Sequence, residues 1–78
     1  MRSMEFKMER SGLIEVGQKV KVTEGILPNS YYYTIEPAVA MSGNYRYDER
    51  LSSREGIVTA IEHNEKGYYV VAEFDENG

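Results

Sequence analysis

The most constraining feature of this sequence is a β-hairpin pattern near its C-terminal end. Residues 56–62 and 68–74 are two runs rich in β-branched and aromatic side chains. The polar residues between them end in Gly67, a residue suited to the positive φ of a tight turn. Side chains alternate along a strand, so Val70, Ala72 and Phe74 share one face. The pattern predicts a hairpin that buries this face.

The N-terminal residues carry a second strand signal. Residues 4–9 alternate apolar and charged side chains without a break, and Gly12 follows shortly after. Strict alternation of apolar and polar residues is typical of a strand with one buried and one solvent-exposed face. A frayed terminus or a short helix is the alternative, since Met, Glu and Lys all favour helix. We expect a strand within residues 1–10 that completes a sheet.

A third strand is expected at residues 19–23. Val20 and Val22 face one side, and lysines and a threonine face the other. We expect Glu24 and Gly25 to end this strand, because glycine is depleted in strands.

The segment 26–53 is the least regular part of the sequence. Residues 28–30 have turn chemistry, residues 31–35 have high β propensity, and residues 45–47 alternate Tyr, Arg and Tyr. A long loop without secondary structure is uncommon in a compact domain. We therefore expect an excursion that contains one or two short strands.

Length and composition limit the remaining possibilities. The 78 residues fit a single domain over 1–78, and the absence of cysteine excludes disulfides and thiolate chemistry. The N-terminal residues are charged and no apolar run approaches about 20 residues, so we expect a cytoplasmic protein without a membrane segment. Residues 1–61 hold eight acids and eight bases, and the whole net charge of −4 lies in residues 62–78. This balance makes nucleic acid an unlikely partner.

No residue pattern indicates catalysis, a metal or a cofactor. His63 is the only histidine and lies in a turn, without the partners that a triad or an imidazole site needs. The C-terminal acids lack EF-hand spacing, and the glycines are too dispersed for a phosphate-binding loop. The sequence predicts a non-catalytic protein.

Three stretches resemble an SH3-like small barrel of the KOW or Tudor type. They are residues 16–22 with a Gly-x-x-Val-x-Val phrase, residues 55–61, and residues 69–75, which end in Phe-Asp. The sequence is also similar to short SH3-like proteins carried by phages and mobile elements of Gram-positive bacteria. The resemblance implies an all-β, partly open barrel of about five short strands, with the long excursion after the first core strand. In such barrels another strand follows the Phe-Asp turn. Such a strand would cover the edge of residues 68–74. In this sequence, either residues 4–8 fill that edge or two subunits pair there as a homodimer.

Tyrosine is the one enrichment that points to a binding surface. The chain has seven tyrosines and no tryptophan, and Tyr32 cannot share a strand face with its two neighbours. The bland alternative is a girdle of half-buried rings around a thin barrel. We predict a tyrosine-rich, acidic surface that binds a protein or peptide and favours a basic partner, on a monomer or homodimer. A nucleic-acid- or ribosome-associated module and an acidic mimic that inhibits a nucleic-acid-binding enzyme are the alternatives. The predicted contact residues are Tyr31, Tyr32, Tyr33, Tyr45, Tyr47, Asp48 and Glu49.

Overall fold

A computed structural model describes residues 1–8, 12, 14–36 and 40–76 of the chain. The predictions that fall on Glu9, Arg10 and residues 37–39 lie outside these. The six strands are β1 (Arg2–Met8), β2 (Lys19–Leu27), β3 (Ser30–Ile35), β4 (Ala40–Ser42), β5 (Glu55–Asn64) and β6 (Gly67–Phe74). In the described part of the chain, no helix has the length and apolar character needed to cross a membrane.

The strands form a closed barrel in the order β1-β4-β3-β2-β5-β6. The predicted fold class, an all-β barrel of the small SH3-like kind, is confirmed. Within the described residues the barrel has six strands, close to the five expected, and its sheet closes where a partly open barrel was expected. Strand β1 pairs with β6 over its full length, from Arg2 opposite Phe74 to Met8 opposite Tyr68. The N-terminal strand therefore fills the edge that a homodimer would otherwise have used.

The barrel interior is filled by the apolar face of every strand. Met4, Phe6 and Met8 of β1 alternate with exposed residues, as the sequence pattern predicted. The core is completed by one residue from the β4–β5 connection and one before β2. Its members are Met4, Phe6, Met8, Ile14, Val20, Val22, Tyr33, Ile35, Ala40, Leu51, Val58, Val70, Ala72 and Phe74.

The β5–β6 hairpin agrees closely with its prediction. It turns with Gly67 at a φ of 132°, and Val70, Ala72 and Phe74 are buried. A bulge between Val58 and Ala60 shifts the register in the middle of the hairpin. Insertions of this kind generally bend the strand that carries them.

Strand β2 does not end at Glu24 and Gly25 as expected. It continues to Leu27 and forms a long hairpin with β3, in which Gly25 lies opposite Tyr32. A Cβ atom on Gly25 would lie about 2 Å from the Tyr32 ring, so this ring covers the glycine backbone. An aromatic side chain across from a strand glycine restores the packing that the glycine lacks. Gly25 is therefore compatible with the strand.

Residues 43–54 connect β4 to β5, and the predicted alternation of residues 45–47 is not a strand. Tyr45 forms an isolated bridge to Tyr31, and a 3-10 helix follows at Tyr47–Glu49. The Glu49 side chain accepts a hydrogen bond from the Arg46 N–H at 2.9 Å, and the Glu49 N–H donates to the Arg46 carbonyl at 2.9 Å. These two bonds close a turn of helix where an extended chain was expected.

Antiparallel pairing brings several connections to the same end of the barrel. At the end of the barrel where β1 starts, its two neighbours, β4 and β6, finish. The next strands on each side, β3 and β5, start at this end, and β2, which lies between them, finishes there. The β2–β3 turn, the β4–β5 connection, residues 1–2 and residues 75–76 thus meet at one end. We call it the tyrosine end.

Candidate binding surface

Four tyrosines pack in a row at the tyrosine end, and we call this row the staircase: Tyr33, Tyr45, Tyr31 and Tyr47. The Tyr33 and Tyr45 ring centroids are 6.1 Å apart, and those of Tyr31 and Tyr47 are 6.4 Å apart, both in tilted arrangements. The backbones of Tyr31 and Tyr45 exchange two hydrogen bonds of 2.9 and 2.7 Å. Tilted aromatic pairs at this spacing add to stability beyond the area they bury.

Exposure rises along the staircase from the core to solvent. Tyr33 is 0% exposed, Tyr31 and Tyr45 are half-buried, and Tyr47 is 81% exposed. Ile26 lies directly opposite Tyr31 in the hairpin and is 71% exposed. Tyr47 and Ile26 thus place two large apolar side chains in water, next to a rigid aromatic support.

The Tyr33 hydroxyl holds the base of the staircase in place. It accepts a hydrogen bond from the Leu51 N–H at 2.7 Å and donates one to Glu24 Oε2 at 2.8 Å. Burial raises the pKa of this hydroxyl above its ordinary value. A buried polar group needs such partners, so Tyr33 belongs to the support of the surface, where no partner reaches it.

Glu24 is the electrostatic centre of this end. Its side chain is 7% exposed and accepts two hydrogen bonds from Arg50, at 2.8 and 3.0 Å, with Arg54 3.6 Å away. The Arg50 hydrogen bonds hold the pKa of the Glu24 carboxyl below its ordinary value, against the opposing effect of burial. The fork of a guanidinium on a carboxylate gives a fixed geometry. Glu24 therefore locks the β4–β5 connection against β2.

Two arginines lie over the faces of tyrosine rings. The Arg50 guanidinium is 4.9 Å from the Tyr31 ring centroid, and that of Arg2 is 5.5 Å from the Tyr45 centroid. These distances are within cation–π range. Arg2 also donates to the Glu49 carbonyl at 2.6 Å, which ties β1 to the 3-10 helix.

Glu76 holds the β4–β5 connection against β1 at the tyrosine end. Its carboxylate accepts hydrogen bonds from the N–H groups of Ser53, at 2.7 Å, and Ser52, at 3.0 Å, and it pairs with Arg2 at 3.4 Å. Burial opposes ionisation of Glu76, but the serine N–H groups outweigh it and hold its pKa below the ordinary value. The carboxylate fixes the connection that carries Leu51 into the core.

The acids predicted as contacts are already paired within the chain. Asp48 accepts two hydrogen bonds from the Arg46 guanidinium, at 2.7 and 3.2 Å, and both side chains are largely exposed. Glu49 is engaged by the Arg46 backbone. The arginines of the β4–β5 connection thus balance its acids, and this surface is not a strongly acidic one.

An open cleft of about 690 Å³ lies beside the staircase. It lies between the first residues of the chain and the 3-10 helix, and its walls carry both signs of charge. Its lining includes Arg2, Tyr45, Asp48, Glu49, Arg50 and Glu76. Among the described residues, no three histidine, cysteine, aspartate or glutamate side chains are grouped in a way that would hold a metal ion.

The structure brings most of the predicted contact residues together. Tyr31, Tyr45, Tyr47 and the two acids lie at the tyrosine end, whereas Tyr32 faces the other side of the hairpin. Sequence reasoning missed Ile26, which was assigned to a loop. It also missed Glu24, although this acid continues the inward-facing series of Val20 and Val22 and for that reason needed a cationic partner.

Comparison with known proteins gives no further constraint. No family model matches the sequence, and neither the curated proteins nor the solved structures contain a match. The geometry of the tyrosine end is therefore the basis for assigning a function.

Proposed function

We propose that this protein is a non-catalytic module that binds a protein or peptide at the tyrosine end. The observation that carries the proposal is Tyr47, a large aromatic side chain that is 81% exposed and lies against the ring of Tyr31. Burial of an aromatic side chain in a partner's pocket is the usual source of binding energy at an interface. Exposure of so large a ring in the free protein favours this role.

Rigidity of the support strengthens the proposal. Tyr31 is held by backbone hydrogen bonds to Tyr45 and covered by Arg50, and Tyr33 anchors the layer beneath. Tyrosine and arginine are the residues that interfaces favour. A surface already ordered in the free state loses little conformational entropy on binding.

Charge has a smaller part in the proposal than the sequence suggested. Asp48 and Arg46 form an exposed pair, and exposed pairs contribute little energy. A basic residue of the partner would replace Arg46 on Asp48. We therefore assign affinity to the apolar side chains and assign partner orientation to the charges.

The test compares two exposed apolar residues on different sides of the barrel. Tyr47→Ala removes the proposed anchor, and Met41→Ala removes an exposed side chain that faces outward between Lys7 and Thr34. Quantitative pull-downs from the source cell should lose their specific partner with the first variant and keep it with the second. Equal capture by wild type and Tyr47→Ala would contradict the proposal.

A nucleic-acid-binding module, as the KOW resemblance implies, is the second candidate. The observation that favours it is the stacking of Arg50 on Tyr31 and of Arg2 on Tyr45, since aromatic rings and arginines together form platforms for bases. Each of these arginines is, however, already paired with an acid. We expect only weak binding of RNA or DNA oligonucleotides at physiological salt, and a micromolar or tighter complex would favour this candidate.

A further inference from the structure

Strand β2 is paired on both sides only over its first residues. Strand β5 runs beside residues 19–21, and the last bond between them goes from the Val22 N–H to the Arg54 carbonyl at 2.8 Å. On its other side, β3 covers β2 as far as Leu27. Residues 23–27 therefore have one edge that no strand in the described part of the chain covers.

Hydrogen-bond directions identify the groups on this edge. The Glu36 N–H donates to the Lys21 carbonyl on the β3 side, while the Val22 N–H points to the opposite side. These directions alternate along an antiparallel strand. Glu24 and Ile26 thus direct their backbone N–H and C=O groups away from β3, toward the uncovered edge. An edge of this kind is a template for another strand.

The edge lacks two common protections against strand addition, a proline and a bulge. Residues 23–27 contain no proline, and their register with β3 is unbroken. The nearby arginines, Arg50 and Arg54, are drawn toward the carboxylate of Glu24. Where β5 departs from β2, a groove of about 440 Å³ leads to the edge, lined by Lys21, Val22, Thr23, Glu36, Arg54 and Glu55.

We propose that the partner binds as an extended strand along this edge, paired with Glu24 and Ile26. The inference rests on the proposed function and specifies its binding mode. Residues opposite each other on antiparallel strands share a face, so the partner residue opposite Ile26 contacts the exposed Ile26 side chain. This position takes an apolar side chain.

The position opposite Glu24 takes an acidic side chain. The Arg50 guanidinium is paired with the Glu24 carboxylate, and the Arg54 guanidinium lies at a longer distance from the same carboxylate. Two cations therefore lie beside one acid. Successive residues on one strand face are two apart. The partner segment therefore carries an apolar and an acidic residue separated by one position. This differs from the basic partner expected from the sequence.

The experiment uses a defined peptide. A phage-displayed library of random 12-residue peptides is selected on the wild-type protein, and the tightest binder is synthesised. We expect the apolar-x-acidic spacing among the selected sequences. In the complex, the amide hydrogens of Glu24 and Ile26 should exchange with solvent much more slowly than in the free protein.

Two variants at one position separate backbone from side chain. Ile26→Pro removes the edge N–H without removing a bond to β3, and Ile26→Ala keeps the N–H but removes the side chain. We expect Ile26→Pro to bind the peptide at least about tenfold more weakly than Ile26→Ala, as for the loss of an interface hydrogen bond. If Ile26→Pro does not fold, the exchange rates of the Glu24 and Ile26 amides in the wild-type complex test strand addition instead.

The outcomes distinguish this proposal from the one on which it rests. A peptide whose binding requires Tyr47 but leaves the Glu24 and Ile26 amides unprotected would overturn strand addition and keep the binding surface. A library that yields no binder would overturn both. A dimer in light scattering, with these amides protected until dilution, would overturn a peptide occupant and assign the edge to a second copy of the chain.

Discussion

The two long hairpins of this barrel differ in how far neighbouring strands cover their edges. Strand β6 of the β5–β6 hairpin lies between β5 and the whole of β1, whereas β2 of the β2–β3 hairpin loses its second neighbour after Lys21. Both hairpins share the same barrel and the same antiparallel pairing. Among the described residues, each hairpin has one strand that continues past its second neighbour: β5 over residues 59–64 and β2 over residues 23–27. The difference lies in the other strand, because β1 covers β6 along its whole length, whereas β4 covers β3 only at Thr34 and Ile35. We call the β5–β6 hairpin the sealed hairpin and the β2–β3 hairpin the projecting hairpin.

The contrast indicates how the chain divides stability and binding. Both hairpins contribute to the core, through Val70, Ala72 and Phe74 in one and Val22, Tyr33 and Ile35 in the other, but the tip of the projecting hairpin also exposes the apolar side chains of Ile26 and Leu27. Elements that bind partners come from regions with fewer buried contacts. The comparison predicts large stability effects in the sealed part and binding effects with small stability changes in the projecting part.

The largest expected effect is loss of the strand that seals β6. Phe6 is fully buried and packs against Phe74, with ring centroids 6.4 Å apart. We expect Phe6→Ala to lower the free energy of unfolding by about 3–5 kcal/mol, and deletion of residues 1–8 to unfold the domain. Urea denaturation measures both. Glu5→Ala, on the exposed face of β1, is the control, and an equal loss for both variants would break the comparison.

Two glycines give a matched comparison between the hairpins. A Cβ on Gly56 would lie 2.7 Å from the Glu73 carbonyl oxygen and 2.8 Å from the Phe74 ring, whereas a Cβ on Gly25 would lie 2.0 Å from the outer end of the Tyr32 ring, a half-buried side chain that can rotate away without moving the backbone. We expect Gly56→Ala to cost about 2–3 kcal/mol and Gly25→Ala less than about 1 kcal/mol. The reverse order in thermal melts would show that the projecting hairpin is the more tightly packed of the two.

Glu24 links the projecting hairpin to the barrel, and its loss should have an intermediate effect. We expect Glu24→Gln to cost about 2 kcal/mol, because bonds to the Arg50 guanidinium and the Tyr33 hydroxyl lose their charged acceptor. The pKa of folded Glu24 lies below its ordinary value of 4.5. Its contribution is therefore complete above that pH and is lost as the pH falls through the lowered pKa.

The pH dependence supplies the control for Glu24. Stability of Glu24→Gln, measured by urea denaturation between neutral and acidic pH, should fall less steeply on the acid side than that of the wild type. Glu76 keeps a part of the acid sensitivity in both proteins, since its pKa is also lowered. Parallel curves for the two proteins would remove Glu24 from its assigned role.

The smallest stability effect is expected at the top of the staircase. Tyr45 packs on Tyr33 and under Arg2, so Tyr45→Ala should cost about 1–2 kcal/mol. Tyr47→Ala should change stability by no more than about 0.5 kcal/mol, as for other exposed positions. Differential scanning calorimetry compares the two. A large loss for Tyr47→Ala would place this ring in the core and remove its claim to a partner.

The sequence was most informative where the pattern is local. Alternation in residues 4–8 and the two apolar runs around Gly67 predicted β1 and the β5–β6 hairpin, because a face that must be buried leaves a period-two record. The edge beside β6 had two possible occupants, residues 4–8 or a second subunit, and the structure places β1 there. The existence of these strands, unlike the pairing of β1 with β6, needs no information about distant partners.

The projecting hairpin was less predictable because cross-strand partners decide it. Gly25 is acceptable in β2 only because Tyr32 covers it, and this neighbour is revealed only by the pairing register. The 3-10 helix replaces an expected strand because Glu49 closes on Arg46. The predicted acidity rested on Asp48 and Glu49, which follow Tyr47 in the sequence, and their hydrogen bonds to Arg46 form only when the chain folds.

Residue-resolved hydrogen exchange of the free protein tests the contrast between the hairpins most directly. The Val70 amide lies in a strand with neighbours on both sides and should exchange only through global unfolding. The Glu24 and Ile26 amides point to the uncovered edge of β2 and should exchange orders of magnitude faster than Val70 and the Gly25 amide between them. Protection of Glu24 and Ile26 equal to that of Val70 in the monomeric protein would contradict the free edge.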